Sequence, residues 1–188
     1  MKVLGVMGSP RIKGNTDLLL DEALKGAKSQ GAEVEKIIVD KLNIAPCKEY
    51  YGCLKDGNCV IRDDMDDIYP KLLEAYCIIV ASPIFFYGLS SQIKALIDRC
   101  QAMWARKYVL KQALPDSGRK GAFIAVGATK GKRLFDGSKL TVQYFFKAIN
   151  VSYVDELLIQ GVDKKGEIKG HPTALSDAFE LGRRLVQA

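Results

Sequence analysis

Residues 2–24, KVLGVMGSPRIKGNTDLLLDEAL, change character twice within one short stretch. Val3, Leu4, Gly5, Val6 and Met7 run without a polar interruption, the pattern of a strand buried on both faces. Further on, Leu19, Leu20, Ala23, Leu24 and Ala27 recur at helical spacing, and Gly31 closes a helix over 16–30. Between the two lies GSPRIKGNT (8–16), with two glycines, a proline, hydroxyl and amide side chains and two cations. A buried strand, a short glycine-bearing turn and an amphipathic helix begin a parallel α/β sheet. The turn also carries the groups that hold a phosphate.

The remaining chain repeats the alternation. EVEKIIVD (33–40) reads as a second strand, CIIVASP (77–83) as a third, GAFIAVGAT (121–129) as a fourth and SYVDELLIQ (152–160) as a fifth. Helices are predicted over 63–76, 90–104, 137–149 and 173–186, with 43–62 irregular. Ser90 or Ser91 caps the helix at 90, and Asp63 and Asp64 read as charges at a helix start, where the dipole favours them. These elements predict one doubly wound domain over 1–188, with a parallel sheet covered on both faces and right-handed crossovers.

The composition is ordinary for a globular chain, 48% hydrophobic and 27% charged over 188 residues. The longest apolar run, Tyr76 to Gly88, is too short to span a bilayer and is broken by Pro83. With no signal-peptide pattern at the N-terminus, a cytoplasmic location is expected. The net charge of +6 is scattered, its densest group being KGKR (130–133), so a mixed-charge surface is expected rather than a nucleic-acid interface. Five cysteines form an odd set, and a reducing compartment disfavours disulfides.

In open parallel sheets ligands bind beyond the carboxyl ends of the strands, which brings together the loops after strands one, three and four. In the first, Gly8 and Gly14 relax the backbone, Ser9, Asn15 and Thr16 are neutral donors, and Arg11 and Lys13 add charge. The spacing matches neither a P-loop nor the dinucleotide fingerprint. Taken alone, the loop also reads as an ordinary turn with Asn15 or Thr16 as helix N-cap. The second loop, SPIFFYG (82–88), stiffens at Pro83 and places Phe85, Phe86 and Tyr87 where the chain turns toward solvent. Such surface suits a flat aromatic ligand, although each ring also reads as core. In the third, Gly127, Ala128 and Gly131 permit close backbone approach, and Thr129 and Lys130 can donate hydrogen bonds.

A phosphate cradle and an aromatic platform at one sheet edge describe a mononucleotide with a planar head. Together the motifs GSPRIKGNT and SPIFFYGLSSQIKALIDR resemble those of the flavodoxin-like NAD(P)H-dependent FMN reductases, over nearly the whole chain. The resemblance implies a three-layer sandwich with strand order 2-1-3-4-5. It implies FMN, with Ser9, Arg11, Asn15 and Thr16 at the phosphate, supported by Lys13 and Gly14. Pro83, Ile84, Phe85, Phe86, Tyr87 and Gly88 would meet the ring, with Thr129, Lys130 and Gly131 in support. It further implies NAD(P)H as cosubstrate, a free flavin, quinone or similar acceptor, ping-pong kinetics and a homodimer or homotetramer. The flavin carries that chemistry, so no catalytic side chain is expected; His171, the single histidine, lies beside Pro172 in a surface loop. A flavodoxin-type electron carrier is the competing class, although such carriers are strongly acidic around the flavin.

PCKEYYGCLKDGNCVIRDDM (46–65) resembles the cysteine segment of the iron–sulfur flavoproteins. Cys47, Cys53 and Cys59 fall on three of its four ligand positions, and Tyr50 stands at the second. A cubane takes four thiolates. The expectation is therefore three free thiols without a cluster, with an iron–sulfur electron-transfer protein as the alternative.

Overall fold

The computed structural model describes residues 1–116 and 118–187. Five strands lie parallel: β1 (Lys2–Met7), β2 (Glu33–Ile38), β3 (Cys77–Phe85), β5 (Lys120–Gly127) and β6 (Ser152–Gln160), in the order β2-β1-β3-β5-β6. A sixth, β4 (Gly88–Leu89), returns antiparallel along the end of β3. The expected order is therefore found, and the expected count of five is corrected by this short hairpin strand.

Alternation along the strands sorts two cores. Val3, Met7, Ile79, Ala81 and Ile124 face α1 (Asn15–Ser29) and α7 (Ala174–Val186). Leu4, Val6, Ile78, Val80 and Phe123 face α3 (Met65–Glu74), α4 (Ser91–Arg99), α5 (Gln101–Trp104) and α6 (Asp136–Ala148). This double burial explains why strands one, three and four in the sequence carry unbroken apolar runs. On the first face α1 and α7 meet backbone to backbone: a Cβ at Gly26 would overlap the Phe179 carbonyl, and one at Gly182 the Ala23 carbonyl.

Several boundaries differ from the sequence expectation for physical reasons. The second strand stops at Ile38 because Val39–Lys41 turns as a 3-10 helix. The irregular stretch contains one helical turn, α2 (Cys53–Asp56), closed by Gly57 at φ 83°. The helix expected over 63–76 starts only at Met65. The helix at 90 breaks at Cys100 and ends in a π-helical turn, Ala105–Val109.

Candidate functional site

The turn after β1 is held by its neighbours. The Gly8 amide donates to the Ala81 carbonyl at 2.8 Å, and the Ser90 hydroxyl donates to the Gly8 carbonyl at 2.6 Å. Ser90 N–H in turn donates to Ser82 Oγ at 3.1 Å, and Ser90 Oγ caps α4 by accepting from Ile93 N–H. The buried hydroxyls of Ser82 and Ser90 thus fasten the loop after β1 to the loop after β3. Of the two serines offered as caps by the sequence, Ser90 is the one used.

Lys13 adopts φ 56°, and its amide donates to Asp17 Oδ2 at 2.7 Å. Asp17 is buried in the first turn of α1 and ion-paired with Lys36. The carboxylate therefore shapes the turn from beneath. The N-cap of α1 is Gly14, with no side chain capping it. That corrects the alternative in which Asn15 or Thr16 caps the helix. It also leaves first-turn N–H groups, at the positive end of the helix dipole, for an anion.

Three loops then converge. Ser9, Arg11, Asn15 and Thr16 from the first line a cavity of about 180 Å³ together with Pro83, Ile84 and Phe85 from the second. The third contributes Ala128. Lys13, Gly14, Phe86, Tyr87, Gly88, Thr129, Lys130 and Gly131, also expected at the site, do not line this cavity.

The second loop is a tight hairpin in which Phe85 pairs with Gly88 across a two-residue turn. Phe86 and Tyr87 occupy that turn at φ 49° and 61°. Consecutive positive φ values are what a primed hairpin turn demands, usually from Asn and Gly. Here two aromatics carry them, and strained backbone of this kind persists where the surroundings enforce it. None of the three rings is core: Phe85 is 50%, Phe86 105% and Tyr87 49% exposed. The Tyr87 ring lies over Gly131, where an added Cβ would come within 3.2 Å of Cζ, so the hairpin and the third loop touch.

A fourth loop, between β6 and α7, also reaches the cavity through Val162, Asp163 and Lys165. Asn15 ties it down: its Nδ2 donates to the Lys164 carbonyl at 3.0 Å, and its Oδ1 accepts from Ile168 N–H at 3.2 Å. Glu167 Oε2 accepts from both Asp163 and Lys164 amides at 2.8 Å, and these two bonds hold its carboxyl below the usual range. The sequence reading missed this loop because it counted only the first, third and fourth strands. The cue was available: β6 ends at the same sheet edge, in QGVDKKGE (160–167).

The cysteine segment lines a different and larger cavity, about 710 Å³, walled by Cys47, Cys53, Cys59, Tyr50, Trp104 and Tyr144 among others. Its size does not make it the site of the converging loops, which lies elsewhere. The three thiols are free and half-buried. Burial, then the neighbouring Cys59 and Cys47, pushes the Cys53 thiol up. Arg99, fully buried, staples the segment at both ends by donating to the Ala45 and Ile61 carbonyls, each at 3.0 Å. Its counter-ion is Asp63 at 2.5 Å, which also accepts from the Ala45 and Met65 amides at 3.0 Å. Burial alone would raise the Asp63 carboxyl, but Arg99 and the two amides outweigh it and hold it below its ordinary value. Asp63 thus sits at the start of α3, as the sequence reading has it, and is in addition a buried staple for Arg99. A four-iron cubane would need a fourth thiolate where Tyr50 stands, 62% exposed. Among the described residues no group of three or more His, Cys, Asp or Glu side chains converges as a metal site. The donor set here falls short of a cubane.

His171 accepts from the Thr173 and Ala174 amides through Nδ1, at 3.3 and 3.1 Å, and so caps α7. Its place is structural.

A doubly wound sheet with an uncapped helix N-terminus and a glycine-bearing cradle at its switch point defines the flavodoxin-like class. Within that class, the profile of the NADPH-dependent FMN reductases matches residues 1–152, and the chain belongs to that family of oxidoreductases. It is 32% identical over 200 residues to an iron–sulfur flavoprotein of Methanocaldococcus jannaschii, covering 100% of this chain and 96% of the relative. It is 30% identical over 191 residues to a Bacillus subtilis protein provisionally named NAD(P)H-dependent FMN-containing oxidoreductase, covering 98% of each. The fold is shared with an NAD(P)H:quinone oxidoreductase from Methanothermobacter marburgensis at TM-score 0.72 and 13% identity, over 100% of this chain and 96% of that one.

Proposed function

We propose that this chain binds FMN at the converging loops and uses it to pass reducing equivalents from NAD(P)H to a small acceptor such as free flavin or a quinone. The observation that carries this reading is the single cavity shared by Ser9, Arg11, Asn15 and Thr16 with Pro83, Ile84 and Phe85. Ser9, Arg11, Thr16 and the first-turn amides of α1 would hold the phosphate, with Lys13 adding charge at the mouth. Pro83, Ile84, Phe85 and the hairpin backbone to Gly88 would seat the ring. Thr129 and Lys130 would add donors from the third loop, whose Gly131 backs the hairpin at Tyr87.

Bound FMN would supply a two-electron acceptor able to release electrons in pairs or singly. The protein's part is orientation. Asp17 and the Ser82–Ser90 pair fix the cradle, and the exposed Phe86 and Tyr87 border an open face for the donor and then the acceptor. Use of one face in turn requires ping-pong kinetics. A net charge of +6 favours anionic substrates over the acidic docking surface of a one-electron carrier. No helix among the described residues is long and apolar enough to cross a membrane, in keeping with a cytoplasmic enzyme working on small molecules. The exposed hairpin and the aromatic-walled second cavity suit coverage by a second copy in a homodimer or homotetramer.

Purified protein should show flavin absorption and oxidise NADPH or NADH steadily with added FMN or quinone. Flavin binding with no turnover from any nicotinamide donor would favour the carrier instead. The names of the archaeal relatives, and three thiols lining one cavity, favour a second reading as a cluster-bearing protein. Iron and acid-labile sulfide assays on anaerobically purified protein separate the two; the FMN reductase reading predicts no stoichiometric iron.

A further inference from the structure

The loop between β6 and α7 lies outside the stretch matched by the family, which ends at residue 152. It nevertheless closes one wall of the cavity, and its position is built rather than incidental. Asn15, the first residue of α1, grips it on both sides of Lys165 through the Lys164 carbonyl and the Ile168 amide. Glu167 fixes the preceding backbone through two amides. Lys165 is therefore held beside the N-terminus of α1, at the end of the cavity where an anion would sit.

Among the described residues, three charged residues line the cavity: Arg11, Asp163 and Lys165. Arg11 Nη1 reaches only to the Asp163 carbonyl, at 3.5 Å. Asp163 opposes a dianion and offsets one cation. Without Lys165 the lining carries no net positive charge; with it the balance favours the phosphate.

We infer that Lys165 is a specificity-determining residue that recognises the phosphate monoester of the flavin from the loop between β6 and α7. The inference rests on the FMN reading and assigns it a fourth loop. Arg11 and Lys165 then clamp the phosphate between them, and Asn15 is a positioning residue that sets their separation. Asn15 contributes through this grip on the fourth loop, since its side-chain oxygen and amide are both already engaged.

The test compares FMN with riboflavin, which lacks the phosphate, by fluorescence titration of wild type, Lys165→Ala, Lys165→Glu and Lys169→Ala. Lys169 is exposed in the same loop but does not line the cavity, and serves as the control. Lys165 is exposed, so neither substitution disturbs the core. The preference for FMN over riboflavin should fall about 3- to 30-fold in Lys165→Ala, the lower part of the range for a charge-assisted bond at an exposed site. It should fall further in Lys165→Glu and stay at the wild-type value in Lys169→Ala. An unchanged preference in both Lys165 variants, or equal weakening of FMN and riboflavin, would overturn the inference while leaving the FMN reading intact. Wild-type protein that binds neither flavin would overturn both.

Discussion

Arg11, Lys13 and Asp17 share one turn yet do different work. Arg11 is exposed at the cavity, and the Asp163 carbonyl at 3.5 Å is too distant to hold it. Its removal in Arg11→Ala should weaken FMN by about 1.5 kcal/mol, roughly tenfold, measured by equilibrium titration. An unchanged dissociation constant would show that the guanidinium does not touch the phosphate. Lys13 gives its backbone amide to Asp17, and the cation read from the sequence is its ammonium, which that bond does not involve. Phe86 belongs to the same scale. Fully exposed at φ 49°, it should give a more stable protein when replaced by glycine, by about 1 kcal/mol. The same variant should bind flavin less well if the ring borders the site; a thermal melt beside a titration separates the two effects. At Tyr50 the expected gain is chemical. Tyr50→Cys supplies a fourth thiol to Cys47, Cys53 and Cys59, and anaerobic iron–sulfide reconstitution should turn that variant brown while wild type stays without a cluster.

At the scale of elements, buried arginines join pieces that the sequence leaves separate. Arg119 is buried and donates to the carbonyls of Ala75, Ile149 and Leu72, so it caps the C-terminal ends of α3 and α6 together. Arg119→Met should lose about 3 kcal/mol in denaturant unfolding, because buried carbonyls are left without donors. Arg99 and Asp63 close the cysteine segment in the same manner. The Asp63 carboxyl is depressed in the folded protein, so its contribution is complete above the unfolded carboxylate value, about pH 4, and is lost as pH falls through the folded one. Acid should therefore loosen residues 43–63, read as faster labelling of Cys53 and Cys59 relative to a free thiol at the same pH, below about pH 4 in wild type, by a pyridyl disulfide that still reacts in acid. Asp63→Asn should label readily at all pH values. The elements themselves were legible wherever an apolar run or a helical period marked them, as in β1, β3 and α1. Elements fixed by single side chains were not. Asp63 reads locally as a helix-start acid until Arg99 is folded against it, and nothing local distinguishes His171 as the cap of α7. The hairpin at Phe86 and Tyr87 was hidden for another reason: its turn uses aromatics where the usual signal is Asn-Gly.

For the molecule as a whole, the unbroken apolar runs mark a parallel sheet, the strand order is the one the family resemblance implied, and the parallel sheet places the loops after β1, β3 and β5 at one edge. That much of the site was written in the sequence. The fourth loop's place at that edge was also readable from the fifth strand, but its grip by Asn15 was not, because that depends on where β6 ends relative to Asn15. Steady-state kinetics test the assembled account: double-reciprocal plots for NAD(P)H at several acceptor concentrations should be parallel, and intersecting lines would mean that both substrates bind together. The most direct measurement precedes any turnover. Flavin-free protein titrated with FMN, followed by quenching of flavin fluorescence, should saturate at one equivalent per chain. Protein that leaves the fluorescence of FMN untouched at every ratio would contradict the convergence of these loops on a flavin phosphate.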